Sequence, residues 1–163
     1  MEHIKLFQDV VHRRTVLLKG FEQVDKQLFH KSVEYESWSP ESLFRHLLTG
    51  MKWISGVISK EPIELHTLAL MTAAQLEKNI SLSVIRVALE KTTEKLQEQI
   101  LKVGDEGWRE IIDTPLRGRI PREDSFVSLL FHELEHLGQI KWLLKRLTGW
   151  TDSEIYAIRI ERD

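Results

Sequence analysis

The segment at positions 122–147 reads REDSFVSLLFHELEHLGQIKWLLKRL, and it decides how the rest of the sequence is interpreted. Apolar residues recur in it at intervals of three and four, which is the period of an amphipathic α-helix. Gly149 follows shortly after, as expected where a helix ends. The segment therefore predicts one long helix with an apolar side that other elements must cover.

Three further segments share this period, and the sequence predicts helices at about Glu2–Lys19, Pro40–Ser59 and Ser83–Lys102. The second has the clearest start, because Ser39 is a good N-cap and Pro40 suits the first helical position. No clear pair of strands is found between the helices. We therefore predict an all-α fold, a four-helix bundle with short extra helices, as one domain over residues 1–163.

Short elements are predicted between and after the long helices. Thr72-x-x-Gln75 and Thr151-x-x-Glu154 each have the pattern of a capping box, which begins a helix. Residues 105–122 contain Gly, Pro and Arg and are expected to form an irregular connection. A short extended piece is expected within it, from about Trp108 to Ile112.

Composition excludes several classes of site and partner. The 163 residues include no cysteine, which excludes disulfides, thiolate metal clusters and a cysteine nucleophile. With 23 Lys and Arg against 25 Asp and Glu, the net charge of −2 argues against nucleic acid or an anionic membrane as the main partner. No stretch has the apolar core of a signal sequence or the length of a membrane span. We expect a cytoplasmic protein with a small-molecule or protein ligand.

His132 and His136 are the strongest candidates for a chemical role. Because they are four positions apart on a helix, their imidazoles point the same way and can reach one metal ion. An exposed histidine pair on an acidic helix surface is the alternative. The helical wheel favours the first interpretation, since the pair shares its stripe with Leu129 and Leu143. The two histidines are therefore expected to face the interior.

A third ligand is needed, because catalytic zinc sites have three protein ligands. His46 lies in the second predicted helix, on a face with Leu43 and Trp53. A lone imidazole on such a face is more often a core histidine, but bundles build metal sites from facing helices. We therefore predict a divalent-metal site of His46, His132 and His136. The remaining histidines are expected at the surface, namely His3, His12, His30 and His66.

Three neutral imidazoles leave a bound ion most of its charge, so the predicted site favours an anionic fourth ligand. Zinc would activate a water for hydrolysis, and a bound thiol would become a thiolate for S-transfer. Since the chain has no cysteine, the thiol would come from a low-molecular-weight cosubstrate. Imidazole suits zinc, nickel, iron and copper, so the ligands leave the identity of the metal open.

The segments around these histidines resemble a known family. The pattern WSPxxLxxHL at 38–47 is similar to the second-helix motif of the DinB/YfiT-like metalloenzyme superfamily, and HExxHxGQI at 132–140 is similar to its last-helix motif. The resemblance implies an up-down-down-up four-helix bundle, often a homodimer, with a divalent metal on His46, His132 and His136. Members with known activity include thiol-dependent S-transferases and isomerases. Many others have no known substrate, so the resemblance indicates the site rather than the reaction.

The predicted function is a metal-dependent S-transferase or hydrolase acting on a small molecule. A bundle whose metal or pocket serves binding without turnover is the first alternative. A zinc peptidase is the second, because positions 132–136 also spell His-Glu-x-x-His, in which the glutamate is the general base. Against the peptidase, only Glu154 and Glu161 follow as candidate ligands, and Glu135 is charged where that motif is usually uncharged. Glu133 is expected instead to support structure or a neighbouring helix.

Other side chains are predicted to support or border the site. Gln139 either hydrogen-bonds a ligating imidazole or holds its helix against a neighbour, and the second role is preferred. Arg14 lies in the apolar arc of the first helix and either reaches solvent or binds an anionic group at the mouth of the bundle. Arg117, Arg119 and Arg122 are expected in a solvated loop, with a substrate carboxylate as the alternative partner. The core or a dimer face is expected to hold Trp38, Trp53, Trp142 and Trp150.

Overall fold

The computed structural model describes residues 2–33, 38–60, 80–114 and 117–158. Its four long helices are α1 (Glu2–Glu22), α2 (Pro40–Ser59), α3 (Leu82–Lys102) and α5 (Arg122–Thr148). Shorter elements are a 3₁₀ helix (Lys26–His30), α4 (Asp105–Arg109), β1 (Ile111–Thr114), β2 (Gly118–Pro121) and α6 (Asp152–Tyr156). The predicted short helix at Thr72–Gln75, and His66 before it, lie outside the described residues.

The long helices form a four-helix bundle, as predicted. Helix α1 packs against α3 and α5, and α2 packs against the same two helices. Helices α1 and α2 therefore occupy opposite corners of the bundle, and α5 lies between them. The shared core is made of apolar side chains from all four helices, among them Phe7, Leu43, Met51, Leu96 and Leu137. None of the described helices is long and apolar enough to cross a membrane.

The ends of the two site-bearing helices follow their sequence signals. Ser39 has an extended backbone and its side chain accepts a hydrogen bond from the Ser42 amide at 3.2 Å, which caps α2 as predicted. Helix α5 ends at Gly149, whose φ of 77° is left-handed and therefore suits glycine. At 1.5 Å per residue, the 27 residues of α5 extend roughly 40 Å. Both helices are thus fixed along the length of the bundle.

A β-hairpin before α5 corrects the expectation of no strand pair. Strands β1 and β2 pair antiparallel, with Thr114 opposite Gly118. The extended backbone starts at Ile111, three residues later than predicted, because Trp108 lies in α4 with its ring buried. Neither face of the hairpin is fully buried, since most of its side chains are exposed or half-buried. It was missed because four-residue strands carry too little alternation to be recognised.

Arg122 joins the hairpin to α5. Its amide donates to the Glu110 carbonyl at 2.9 Å, and its buried guanidinium donates to the Glu110 carboxylate at 3.1 Å. The predicted arginine cluster is therefore divided, because Arg117 and Arg119 are exposed. Arg122 has a structural role at the start of α5, and Arg117 lies in an exposed turn, as predicted. Arg119 is exposed too, but it lies in strand β2 rather than in a loop.

Candidate metal centre

The structure brings the three predicted histidines together. His46 comes from α2, whereas His132 and His136 are one turn apart on α5. The Nε2 atom of His132 lies 3.4 Å from that of His46 and 3.1 Å from that of His136. One ring nitrogen from each residue falls within 4.8 Å of the others. This is the only group of three metal-ligating side chains within the described ranges.

The spacing of the Nε2 atoms fits a single small cation. Zinc–imidazole bonds are about 2.0–2.1 Å long, so two tetrahedral nitrogen ligands are separated by roughly 3.3 Å. The Nε2–Nε2 separations of 3.1 and 3.4 Å are close to that value. A divalent ion among three lone pairs would also offset their mutual repulsion. The three imidazole donors and their geometry therefore fit zinc or another divalent metal that binds imidazole well.

The electrostatics of the cluster favour neutral imidazoles. Burial, followed by the nearby His136 and His132, lowers the pKa of His46 to about 4. Burial also lowers the pKa of His132, with His136 as the second cause. Both rings are consequently unprotonated at neutral pH and present lone pairs. That is the protonation state in which histidine binds a metal.

Gln139 holds the ring of His136 in the required tautomer. Its Oε1 accepts a hydrogen bond from His136 Nδ1 at 2.8 Å. Since the proton is then on Nδ1, the lone pair is on Nε2, which faces His132. The preferred prediction for Gln139, a contact between helices, is wrong, and the alternative bond to an imidazole is what the structure has.

Trp38, predicted to pack in the core or a dimer face, lies beside the histidine cluster. Its ring lies parallel to His136, with centroids 5.9 Å apart, and meets His46 edge-on at 5.0 Å. Trp38 directly precedes the N-cap Ser39, so the start of α2 fixes its position. In the sequence, Trp38 is marked only by its position eight residues before His46. That position precedes the start of α2, so helical periodicity does not predict where its ring lies.

Arg14 does not reach solvent or the mouth of the bundle, so both predictions for it are wrong. Its side chain is 2% exposed and donates to Glu133 Oε1 at 2.5 Å and to Thr93 Oγ1 at 2.6 Å. It also contacts Met51 Sδ at 2.9 Å. Burial raises the pKa of Glu133, while Arg14 opposes that rise. Glu133 thus supports a neighbouring helix, as predicted.

The other histidines within the described residues lie apart from the cluster. His12 is exposed, and His30 donates from Nδ1 to Glu41 at 2.6 Å. His3 differs from its predicted surface role, because its ring stacks on Trp108 with centroids 4.1 Å apart and contacts Glu123. The structure therefore leaves the three-histidine cluster as the candidate site.

The features of a peptidase are not assembled around the cluster. Glu133 is bonded to Arg14 rather than free to act as a base. Glu154 is occupied in the capping box of α6, where it accepts from the Thr151 amide at 2.6 Å. Glu161 lies outside the described residues. In this protein the His-Glu-x-x-His pattern supplies two histidines of the cluster, and its glutamate, Glu133, forms the buried ion pair with Arg14.

A cavity of about 580 Å³ borders the cluster. It lies between the start of α2 and the outer side of α5, and His136 forms part of its wall. Its volume is within the usual range for small-molecule sites. The described residues that line it are Trp38, Leu43, Glu135, His136, Gly138, Gln139, Trp142 and Leu143.

Three solved structures share the fold. A DinB-like protein (YjoA) from Bacillus subtilis has a TM-score of 0.65 at 20% identity, over 91% of this chain and 94% of that one. YfiT from Bacillus subtilis, called a probable metal-dependent hydrolase with an unusual four-helix bundle topology, has a TM-score of 0.66 at 14% identity, over 92% and 87%. The mycothiol-dependent maleylpyruvate isomerase has a TM-score of 0.64 at 12% identity, over 90% of this chain and 66% of that one.

Sequence comparison adds nothing to these structural neighbours, because no protein-family model and no curated protein matches the chain. At identities of 12–20%, the superpositions establish the architecture and leave the chemistry to the site itself. The protein shares the fold of these three solved structures, among them the DinB-like protein and YfiT, as its two histidine motifs predict.

Proposed function

We propose that this protein is a metal-dependent enzyme in which His46, His132 and His136 hold one divalent ion. The observation that carries the proposal is the convergence of three Nε2 atoms from two helices at 3.1 and 3.4 Å. YfiT, called a probable metal-dependent hydrolase, supports it, because it has the same fold. Zinc, nickel and iron all suit the ligand set.

The reaction we propose is S-transfer with a low-molecular-weight thiol, or hydrolysis, on a small molecule. A bound divalent ion supplies a Lewis acid and lowers the pKa of a water or thiol that joins it. The chain has no cysteine, so a thiol would enter as a cosubstrate. The mycothiol-dependent neighbour supports thiol chemistry, and YfiT supports hydrolysis.

The chain's own groups prepare the site. Gln139 fixes the tautomer of His136, and Trp38 packs on the rings of His136 and His46, which limits their rotation. Burial lowers the pKa of His46 and that of His132, so both imidazoles are neutral at neutral pH. These groups hold the site in one arrangement before substrate arrives.

The first test is the metal content of untagged protein, compared among wild type and His46→Ala, His132→Ala and His136→Ala. Each substitution should lower the amount of bound divalent metal sharply. His12→Ala, at an exposed position of α1, should not lower it. Unchanged metal content in His46→Ala would remove that residue from the site. A screen of low-molecular-weight thiols with an electrophile, with and without metal, then tests turnover. Tight metal binding without turnover would favour the non-catalytic binding bundle.

We also propose that the protein is a homodimer, which rests on the family resemblance alone, and that it is cytoplasmic, which rests on the sequence analysis of signal and membrane segments. Light scattering of the purified full chain measures its mass in solution. A monomeric mass at micromolar concentration would exclude the dimer.

A further inference from the structure

The cavity beside the three-histidine cluster has an unusual charge balance. Of the eight described residues that line it, Glu135 is the only acidic one, and none is Lys or Arg. Glu135 is exposed, and within the described ranges it has no ion pair. A substrate entering this cavity therefore meets a negative charge and no positive side chain.

Arg14, for which binding an anionic group is one of the two predicted roles, does not supply a free cation to this cavity. Arg14 lies inside the bundle, 2% exposed and paired with Glu133. Lys141, a nearby cation of α5, contacts Tyr156 and Asp152 and lines a different cavity. Neither Arg14 nor Lys141 lines the cavity beside the three-histidine cluster.

Aromatic rings supply much of the cavity wall. Trp142 leaves 50% of its surface exposed, although an indole is costly to leave in water. Trp38 is half-buried and lines the same cavity. Gly138 lines the same cavity and leaves room, since nothing lies within 4 Å of where its Cβ would be. The faces of indole rings attract cations, and a carboxylate beside them strengthens that preference.

We infer that this cavity binds an organic cation, as a substituted ammonium group carried on an aromatic or aliphatic body. The inference deepens the proposed function by naming the class of substrate that the site selects. Anionic molecules would reach the cluster only through the charge of a bound metal, because the cavity wall offers them no cation. Electrostatic complementarity here acts mainly on specificity.

The test measures binding of benzyltrimethylammonium, benzyl alcohol and benzoate to the full-length protein by calorimetry. A quaternary ammonium cannot bind a metal, so the cation reports on the cavity alone. Each probe is measured with zinc-loaded protein and with chelator-treated protein. We expect the cation to bind chelated protein on the order of tenfold more tightly than benzyl alcohol. The preference should be smaller in zinc-loaded protein, because the charge of the metal repels the cation. Benzoate should bind more weakly than either in the chelated form.

Variants connect that preference to the cavity. Glu135→Gln and Trp142→Leu should each reduce the affinity for the cation severalfold. The affinity for benzyl alcohol should stay nearly unchanged, or fall by less than that for the cation, because the two probes share the same aromatic ring. Tyr156→Leu is the matched control, since it removes an exposed aromatic side chain that lines the other cavity. Its affinity for the cation should equal that of wild type.

Two results would overturn the inference. One is benzoate binding to chelated protein as tightly as the cation, and the other is unchanged cation affinity in Glu135→Gln and Trp142→Leu. The proposed function fails by a different result, namely absence of metal binding. Because the cation is measured without metal, the two failures are distinguishable.

Discussion

Arg14 and Glu133 form an ion pair inside the bundle, with Nη1 2.5 Å from Oε1, although 119 positions separate them in the sequence. The same guanidinium contacts Met51 of α2 and Thr93 of α3. One side chain from α1 therefore touches each of the other three long helices. Because Glu133 directly follows His132, the pair also ties the metal-side turn of α5 to the rest of the bundle.

Removing Arg14 alone should destabilise the protein strongly. Arg14→Met leaves Glu133 buried without its partner, and loss of one member of a buried pair costs about 3–5 kcal/mol. The double variant Arg14→Met/Glu133→Leu should recover much of that loss, since neither charge remains. Urea unfolding of both variants measures the difference.

Arg13→Met is the control for this experiment, because Arg13 is its exposed neighbour on α1. Its free energy of unfolding should stay within about 0.5 kcal/mol of wild type. A loss of less than about 1 kcal/mol in Arg14→Met would show that the pair contributes little.

Gln139 should control metal affinity without changing the fold. Gln139→Leu removes the acceptor for His136 Nδ1, and loss of such a supporting bond typically weakens metal binding about 10–100-fold. Gln139→Glu keeps an acceptor and should retain most of the affinity. Competition with a chromogenic chelator measures both, and Gln8→Leu on the exposed side of α1 is the control. Equal affinity of Gln139→Leu and wild type would contradict the role assigned to this side chain.

The metal-free protein should lose stability as pH falls from about 6.5 towards 4. His46 has a pKa of about 4 in the fold and 6.5 as its ordinary value, so in this window the unfolded chain binds a proton that the folded chain does not. The loss from His46 alone is at most about 3 kcal/mol. The lowered pKa of His132 acts in the same direction.

Urea unfolding of chelated protein at pH 7 and pH 4.5 checks this dependence. The variant His46→Gln cannot titrate and should show a clearly smaller loss between the two pH values. An identical loss in the variant and wild type would assign the pH dependence to other groups.

Removing the metal should leave the helices in place. The core extends through all four long helices and does not include the histidine cluster, so the fold has its own apolar stabilisation. Circular dichroism in the helical region should therefore be nearly the same before and after treatment with a chelator. Loss of the helical signal on chelation would mean that the metal is structural.

Local geometry explains why part of the site could be predicted from the sequence. His132 and His136 are paired by helical spacing alone, and helical spacing needs no knowledge of the tertiary fold. His46 followed from one further assumption, that its apolar face turns towards α5. Those two steps, with the caps at Ser39 and Gly149, predicted the bundle and the three-histidine cluster.

Other features depend on contacts between distant segments and were not predictable in the same way. Arg14 looked misplaced in an apolar arc because its partner is on α5. Trp38 precedes α2, so no helical periodicity describes where its ring goes. The choice between two roles for Gln139 depended on the rotamer of His136, which sequence spacing does not determine.

The three-histidine cluster draws its ligands from positions 86 residues apart, so no such cluster exists in the unfolded chain. Any ion that binds it consequently favours the native state by mass action, by about 2.7 kcal/mol when free metal is a hundredfold above its dissociation constant. That gain is comparable to the cost of a damaging core substitution. The concentration of free metal would therefore affect how many destabilising substitutions the protein can accumulate and still fold.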